Sequence, residues 1–423
     1  MRIDVGSARQ YTLASATAAT IRLVGQMTLR DRQDTPLSTN SPLIDYALKG
    51  LERCWLPEQG RWSHAYHLDG RQPPNQSVPS SDVFYTLNVL LGLARVPRVP
   101  DTINVPEIFQ RNAEQLLTLP VRKYAFGVAL WAAAELRLDV PEGVLARVFA
   151  DLSDQRTLRA FRAQDIGMVL TGVTAQARDD SKRWSRAADD LFSQIVDGYC
   201  WPSGLFADAN SGPRRRFASF ASQVYLTLAC YSYGELKGDA RAIEMANRCS
   251  RKLISLQGPN GEWPWFFDAK HGLVVDFYEI YSVHQFGMAP AFLEIAERHG
   301  VSEARNAAIK GFNWVFGANQ LAKPMLVPAM HLSIRSQVRK GELRTDKCRM
   351  LRAIRNSALR RASGLADPTK LELRLECRSY ELGWILWSFG RRSDLPQLTH
   401  HNMFSDLPHA GGGQSMKVTS PVF

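Results

Sequence analysis

Twelve segments of the chain repeat apolar residues every three to four positions, the spacing that lines one face of an α-helix, and they come in pairs. The spacing predicts helices near 42–55 and 81–95, 106–118 and 121–137, 141–151 and 161–178, 183–197 and 217–236, 239–257 and 279–299, and 302–316 and 376–391. The first helix of a pair, such as "VPEIFQRNAEQLLTL" or "RAIEMANRCSRKLISL", has a one-sided apolar stripe and a charged outer face. The second, such as "YAFGVALWAAAEL" or "FASQVYLTLACYSYGEL", is apolar nearly all round, as a helix buried on both sides must be. Period-2 strand patterns are almost absent. This alternation implies an all-α fold of two concentric rings, in which six helical hairpins close into an (α/α)6 toroid. An open solenoid of paired repeats is the competing arrangement.

Loop lengths carry a second asymmetry. Connections between hairpins are short, as at "LKGDA" and "RHGVS", whereas four within hairpins are long: 56–80, 198–216, 258–278 and 317–375. In an alternating barrel the within-hairpin connections all emerge at one end, around the N-termini of the inner helices. Function is expected on that face, since a rigid scaffold commonly carries its chemistry on such loops. Three of the loops, "WLPEQGRWSHAYHLDG", "YCWPSGLFADANSG" and "LQGPNGEWPWFFDAKHG", share a glycine turn followed by aromatics, which supports an internal repeat. The expected organisation is an N-terminal extension over 1–40, a toroid over 41–391 with an insertion at about 317–375, and a flexible tail over 392–423.

The chain of 423 residues is 45% hydrophobic, enough for a large core. It has no secretory leader pattern and no run near the roughly 18 apolar residues that a membrane helix needs. Six cysteines (54, 200, 230, 249, 348, 377) lie far apart without a CxxC pair, so reduced thiols are expected, and neither a disulfide framework nor a structural zinc site. The expectation is a soluble, cytoplasmic protein without cofactor or metal. Net charge is +11. Between Lys323 and Arg374 thirteen Lys and Arg face four Asp and Glu, so much of the excess sits in one segment. That segment implies an anionic partner, or else a solvated insertion. An acidic oligo- or polysaccharide is favoured over nucleic acid, and protein partners through residues 323–374 are a further expectation.

The densest cluster of chemistry is "DFYEIYSVHQ", where Asp276, Tyr278, Glu279, Tyr281, His284 and Gln285 crowd the expected start of the fifth inner helix. A helix N-terminus stabilises carboxylates, while burial beside aromatics raises their pKa toward acid–base work. Asp276 and Glu279 can also be read as an N-cap and its capping-box partner, and His284 as a core histidine. Other inner helices open similarly. Asp82 and Tyr85 stand at the first, with Ser80 or Ser81 as an ordinary N-cap alternative. Arg214, Arg215 and Arg216 precede the fourth, ahead of Gln223. Arg378, Tyr380 and Glu381 open the last. The candidate catalytic residues are therefore Glu279, His284, Asp82, Tyr281 and Glu381. Aromatics and guanidiniums around a concave mouth suit sugars, whose C–H faces stack on rings. Trp62, Tyr66, Tyr85, Trp201, Trp263, Trp265 and Tyr278 are the stacking candidates, Gln223, Asp276 and Gln285 the polar ones. Arg214, Arg335 and Arg378 are candidate partners for a uronate.

The paired helices and the Gly-x-Trp turns in "GRWSHAY" and "GEWPWFFD" resemble the α/α-toroid superfold. Six-hairpin glycosidases, N-acylglucosamine epimerases, several polysaccharide lyases, terpene cyclases and protein prenyltransferases share it. "YSVHQFGMAPAFLEI" and "FNWVFGANQL" further resemble uncharacterised toroid proteins of bacterial polysaccharide loci. The resemblance covers residues 41–391 and implies a carbohydrate-active protein that acts on or binds an acidic glycan, by hydrolase, lyase or epimerase chemistry. A non-catalytic scaffold of a polysaccharide synthesis or secretion complex, and an isoprenoid cyclase or transferase, are the alternatives. The chain departs from the isoprenoid enzymes: it has no DxDD motif, no paired DDxxD motifs and no recognisable zinc set.

Overall fold

The computed structural model describes residues 39–341 and 346–404. Twelve barrel helices are present in the expected pairs: α1 (Pro42–Cys54) and α2 (Pro79–Leu93), α3 (Val105–Gln115) and α4 (Lys123–Leu136), α5 (Glu142–Ser153) and α6 (Ala163–Ala177). The remaining pairs are α7 (Ser181–Gly198) and α8 (Phe220–Lys237), α9 (Ala240–Ser255) and α10 (a π-turn His284–Met288 running into Ala289–Arg298), and α11 (Ala304–Val315) and α12 (Ser379–Phe389). The even-numbered helices form the inner ring. Each packs on the next, α2 to α4, α6, α8, α10 and α12, and α12 returns to α2. That closure excludes the open solenoid and makes the fold an (α/α)6 toroid.

The ring closes because its helices touch backbone to backbone. A Cβ on Gly172 of α6 would stand 2.3 Å from the carbonyl oxygen of Gly127 on α4, and one on Gly92 of α2 the same 2.3 Å from that of Gly383 on α12. Only a residue without a side chain allows such approach. Three of the outer helices start on ordinary polar caps: Asn104 accepts from the Glu107 N–H to start α3, Asp180 from Arg183 to start α7, and Asp239 from Arg241 and Ala242 to start α9.

The long loops gather at the N-termini of the inner helices, where they form short strands. Three sheets of three strands result. Ser336–Arg339 lies between Leu371–Arg374 and Ile280–Tyr281; Ala65–His67 lies between Glu376–Cys377 and Asn75–Gln76; Phe266–Asp268 lies between Phe217–Ser219 and Leu273–Asp276. Strands of two to four residues are too short for a period-2 pattern to register in the sequence. The insertion at 317–375 is accordingly folded over its described residues, stitched by strand pairing to the loop of the fifth hairpin.

Two expectations need correction. The helix expected from 279 starts at Ser282, with its π-turn from His284, because Ile280 and Tyr281 pair instead with Gln337 and Ser336; Asp276 and Glu279 therefore cap no helix. Residues 392–404, expected as flexible tail, pack on the barrel: His401 stacks on Phe316 at 3.8 Å, and Phe404 is buried against Tyr46. The remaining tail residues, 405–423, and nearly all of the N-terminal extension lie outside the described residues. Among the described residues no helix is long and apolar enough to cross a membrane.

Candidate active site

A cavity of about 320 Å³ opens at the loop-bearing end of the barrel, and every inner helix contributes its first turns to the wall. Ser80, Ser81, Phe84 and Tyr85 come from α2, Tyr124 from α4, Gln164 and Met168 from α6, Ala221 and Tyr225 from α8, His284 and Met288 from α10, and Tyr380 from α12. Pro120, Val121 and Arg122, before α4, complete it. The volume lies at the small end of ligand sites, and aromatic walls with a few convergent polar groups are the usual composition of such sites. Among the described residues, the lining contains no Asp or Glu.

His284 is the titratable base of the wall. Burial, with a smaller push from Arg335, depresses its pKa to about 3, so the ring is neutral at ordinary pH. Its Nδ1 is buried without a hydrogen-bond partner, and the ring packs between Phe220 at 4.6 Å and Tyr281 at 5.0 Å. Tyr85 is held between two rings, stacked on His64 at 5.2 Å and tilted against Tyr380 at 4.5 Å. Burial and the cation of Arg378 lower the pKa of His64 to about 4.

Behind this wall runs a line of alternating charges. Glu279 accepts from the Ser336 hydroxyl, from Tyr281 Oη at 3.1 Å and from Arg374 Nη1 at 3.3 Å. Arg374 Nε also lies 3.2 Å from Glu376 Oε1. The same oxygen accepts from Arg378 Nε at 2.9 Å and lies 3.2 Å from Arg335 Nε. Burial alone would raise the Glu376 pKa, but three guanidiniums hold it below the usual range. Arg335 continues to Glu381, its Nη1 3.3 Å from Oε1, and stands 5.1 Å over the Tyr281 ring. Glu381, fully buried, also accepts from Ser333 at 3.2 Å, and burial pushes its carboxyl up to about 7 against the pull of Arg335 and Arg378. Strand register assembles the line: Tyr281, Ser336 and Arg374 stand opposite one another across one sheet.

Of the expected site residues, Tyr85 and His284 line the cavity. Tyr281, Glu279, Arg335, Arg378 and Glu381 form the shell behind. The others sit elsewhere. Asp82 closes the start of α2, accepting from Ser77 Oγ at 2.6 Å and Val78 N at 3.1 Å. Asp276 is clamped by Arg339 at 2.8 Å and Arg352 at 3.4 Å. The Tyr278 hydroxyl accepts from Ala366 N at 3.1 Å. Gln223 exchanges hydrogen bonds with the backbone of Phe206, and Gln285 accepts from Trp263 N. Trp62 and Trp263 are core residues. Trp265 stacks on Phe266 at 4.6 Å. Tyr66 sits in a strand opposite Cys377, while Trp201 donates to the Arg215 carbonyl. Arg214 lies half-exposed, 3.7 Å from Asp208.

One signal went unread in the sequence. The N-cap residues of α4, α6 and α12 are Arg122, Arg162 and Arg378. A cation at a helix N-terminus opposes the macrodipole, and Ser, Thr, Asp and Asn are the residues that cap well. Arg122 and Arg162 are exposed and make no ion pair among the described residues. Their charge, with that of Arg214 ahead of α8, adds to the positive ends of the inner helices, and the carboxylates of Asp165 and Asp208 offset part of it.

The chain matches no family model and no curated protein in sequence. Its structure is similar to a sugar epimerase from a ruminal bacterium, with a TM-score of 0.56 at 11% identity over 83% of this chain and 97% of that one. It is also similar to cellobiose 2-epimerase from Bacillus thermoamylovorans B4167, with a TM-score of 0.54 at 11% identity over 82% and 99%. An unsaturated glucuronyl hydrolase from Bacillus sp. GL1, responsible for the degradation of glycosaminoglycan, superposes with a TM-score of 0.50 at 11% identity over 84% and 97%. At such identities the likeness is one of fold, and in fold the chain is a six-hairpin, glycosidase-like α/α toroid.

Proposed function

We propose that this chain is an enzyme of polysaccharide metabolism that transfers a proton on a uronate-type sugar of an acidic glycan. The observation that carries the reading is the cavity wall: a neutral histidine and tyrosines, no lining carboxylate among the described residues, and Arg122 in the lining, with Arg162 at the start of the next inner helix. Glycoside hydrolysis commonly needs two carboxyl groups flanking one bond. Glu381 has a pKa suited to a general acid but is buried outside the cavity lining, in a pair with Arg335. Removal of the proton beside a sugar carboxylate instead needs one base, a hydroxyl donor and a cation for the carboxylate. His284, Tyr380 or Tyr85, and the rim arginines provide those types of group. An anionic sugar next to His284 offsets the field of Arg335 and raises the ring's affinity for a proton. Return of the proton to the opposite face gives epimerisation; expulsion of the neighbouring glycosidic oxygen gives elimination. The sugar epimerases and the glucuronyl hydrolase that share the fold keep this reading within the chemistry known for such scaffolds, a support by analogy. The five cysteines whose side chains are described are unpaired, which suits a reducing compartment, and we propose a cytoplasmic location.

The test is incubation with uronate-containing oligosaccharides in deuterium oxide. Solvent deuterium at the carbon beside the carboxylate, or an ultraviolet-absorbing unsaturated uronate, is expected, and both vanish in His284→Ala. New reducing ends with neither signature would replace the reading by hydrolysis, and binding without any turnover would replace it by the scaffold role.

A further inference from the structure

The helix Asp346–Ala358, inside the basic insertion, takes no part in the cavity wall. It lies against the strand Leu273–Asp276 through a mixed face, in which Met350 and Ala353 join an apolar cluster and polar side chains make the remaining contacts. Asn356 donates to the Val275 carbonyl at 3.0 Å, Ser357 to Asp268 at 2.5 Å, and Arg352 pairs with Asp276 at 3.4 Å; Ala353 adds a small apolar contact with Phe217, Phe266 and Val275. The outward face, over its described side chains, carries exposed aliphatic residues. Leu351 is 66% exposed, Ile354 47% and Leu359, just past the helix, 66%. These are three of the four large hydrophobic side chains exposed among the described residues. Exposed arginines 355, 360 and 361 stand among them. A surface helix ordinarily turns its apolar stripe inward, and this one leaves aliphatic side chains outward.

We propose that this helix docks the protein on an anionic lipid bilayer, with Leu351, Ile354 and Leu359 entering the headgroup boundary and the arginines meeting lipid phosphates. A ridge of aliphatic side chains among cations is the pattern of interfacial helices. A second copy is a poor occupant, because a two-fold contact through this face would set these arginines against their own counterparts. Protein interfaces centre on aromatic anchors, and the exposed apolar face here has none. The strand beneath belongs to the loop of the fifth hairpin, so docking would hold the barrel mouth close to the membrane. This docking does not depend on the reaction at the mouth.

The experiment is sedimentation of the full chain with vesicles, either phosphatidylcholine alone or equal parts phosphatidylcholine and phosphatidylglycerol. Binding is expected to the anionic vesicles only, reduced by high salt. It should fall at least tenfold in Leu351→Glu/Ile354→Glu and in Arg355→Glu/Arg360→Glu/Arg361→Glu, with thermal melts unchanged because these side chains are exposed. Either variant suffices if the other fails to fold. Absence of binding by the unmodified chain, or equal binding by the variants, overturns the proposal. So does a dimer in solution that Leu351→Glu/Ile354→Glu abolishes, which would give the face to a second copy.

Discussion

Arg335 joins the last inner helix to the shell behind the cavity wall: its Nη1 stands 3.3 Å from Glu381, while its guanidinium lies over the ring of Tyr281. Its partner Glu381 has a pKa raised from 4.5 to about 7, chiefly by burial. A raised carboxyl pKa means that stability is full below the unfolded value and is lost as pH rises through the folded one. Between pH 4.5 and 7 the loss amounts to about 3 kcal/mol. Glu381→Gln should remove that slope. Its melting temperature should change less between pH 5 and pH 8 than that of the unmodified protein, as read by calorimetry. Equal slopes would show that the carboxyl is already ionised in the fold.

His284 predicts the opposite limb. Its pKa falls from 6.5 to about 3, so the stability linked to its neutral form is present above pH 6.5 and lost as pH drops toward 3. The loss approaches 4–5 kcal/mol, again by about 1.4 kcal/mol per unit. His284→Gln should therefore resist acid better than the unmodified chain, while losing roughly 10²–10⁴ in turnover if the ring moves the proton. Acid unfolding and kcat measured on the same preparation separate the two roles. A variant that resists acid yet keeps full turnover would leave His284 a core residue.

The barrel was legible in the sequence because each helix pair writes its burial into the chain. Even the short hairpin connections and the long mouth loops could be placed. The site was legible only in part. His284, Tyr281 and Glu381 stood out by crowding or by position at a helix start, Arg335 as a guanidinium suited to a uronate, and the fold brings them together. Asp82 and Asp276 stood out for the same reason, yet one closes a helix start and the other neutralises Arg339. Spacing cannot separate a carboxylate that caps from one that works. Glu376 was passed over because its importance comes from Arg374 and Arg378, two residues away on either side, acting together with Arg335, which the fold brings in from the insertion. Arg122 and Arg162 could have been found, since a cation where a cap residue belongs is visible in sequence once the helix start is fixed.

The glycine contacts of the inner ring predict a sharp dependence of stability on one methyl group. Gly172→Ala places Cβ 2.3 Å from the Gly127 carbonyl oxygen, a backbone atom that cannot rotate away. α4 and α6 must separate, at a cost of about 1–3 kcal/mol by analogy with overpacked cores. Gly70→Ala is the informative control: nothing lies within 4 Å of its added methyl, although its φ of +84° carries a backbone penalty. A denaturant titration should find Gly172→Ala the less stable of the two, with the slope unchanged. If instead Gly172→Ala is neutral, the inner ring is looser than its backbone contacts imply.

The rim arginines give the prediction that most directly tests the anionic substrate. Arg122 and Arg162 cap α4 and α6 against the dipole, so a cap residue in their place should favour the fold. Arg122→Ser and Arg162→Ser are expected to raise stability by about 0.3–1 kcal/mol each. The same substitutions should weaken an acidic ligand. An exposed charge pair contributes about 0.2–1 kcal/mol, so KM for an acidic oligosaccharide should rise roughly 1.4-fold to fivefold per arginine with kcat little changed. Salt should imitate the loss, since exposed charges are screened over about 8 Å at physiological ionic strength. The double variant should therefore show both a higher KM and a flatter dependence of KM on salt. A neutral oligosaccharide should distinguish neither variant from the unmodified chain. Higher stability without any change in KM would mean that these cations serve no ligand at the mouth.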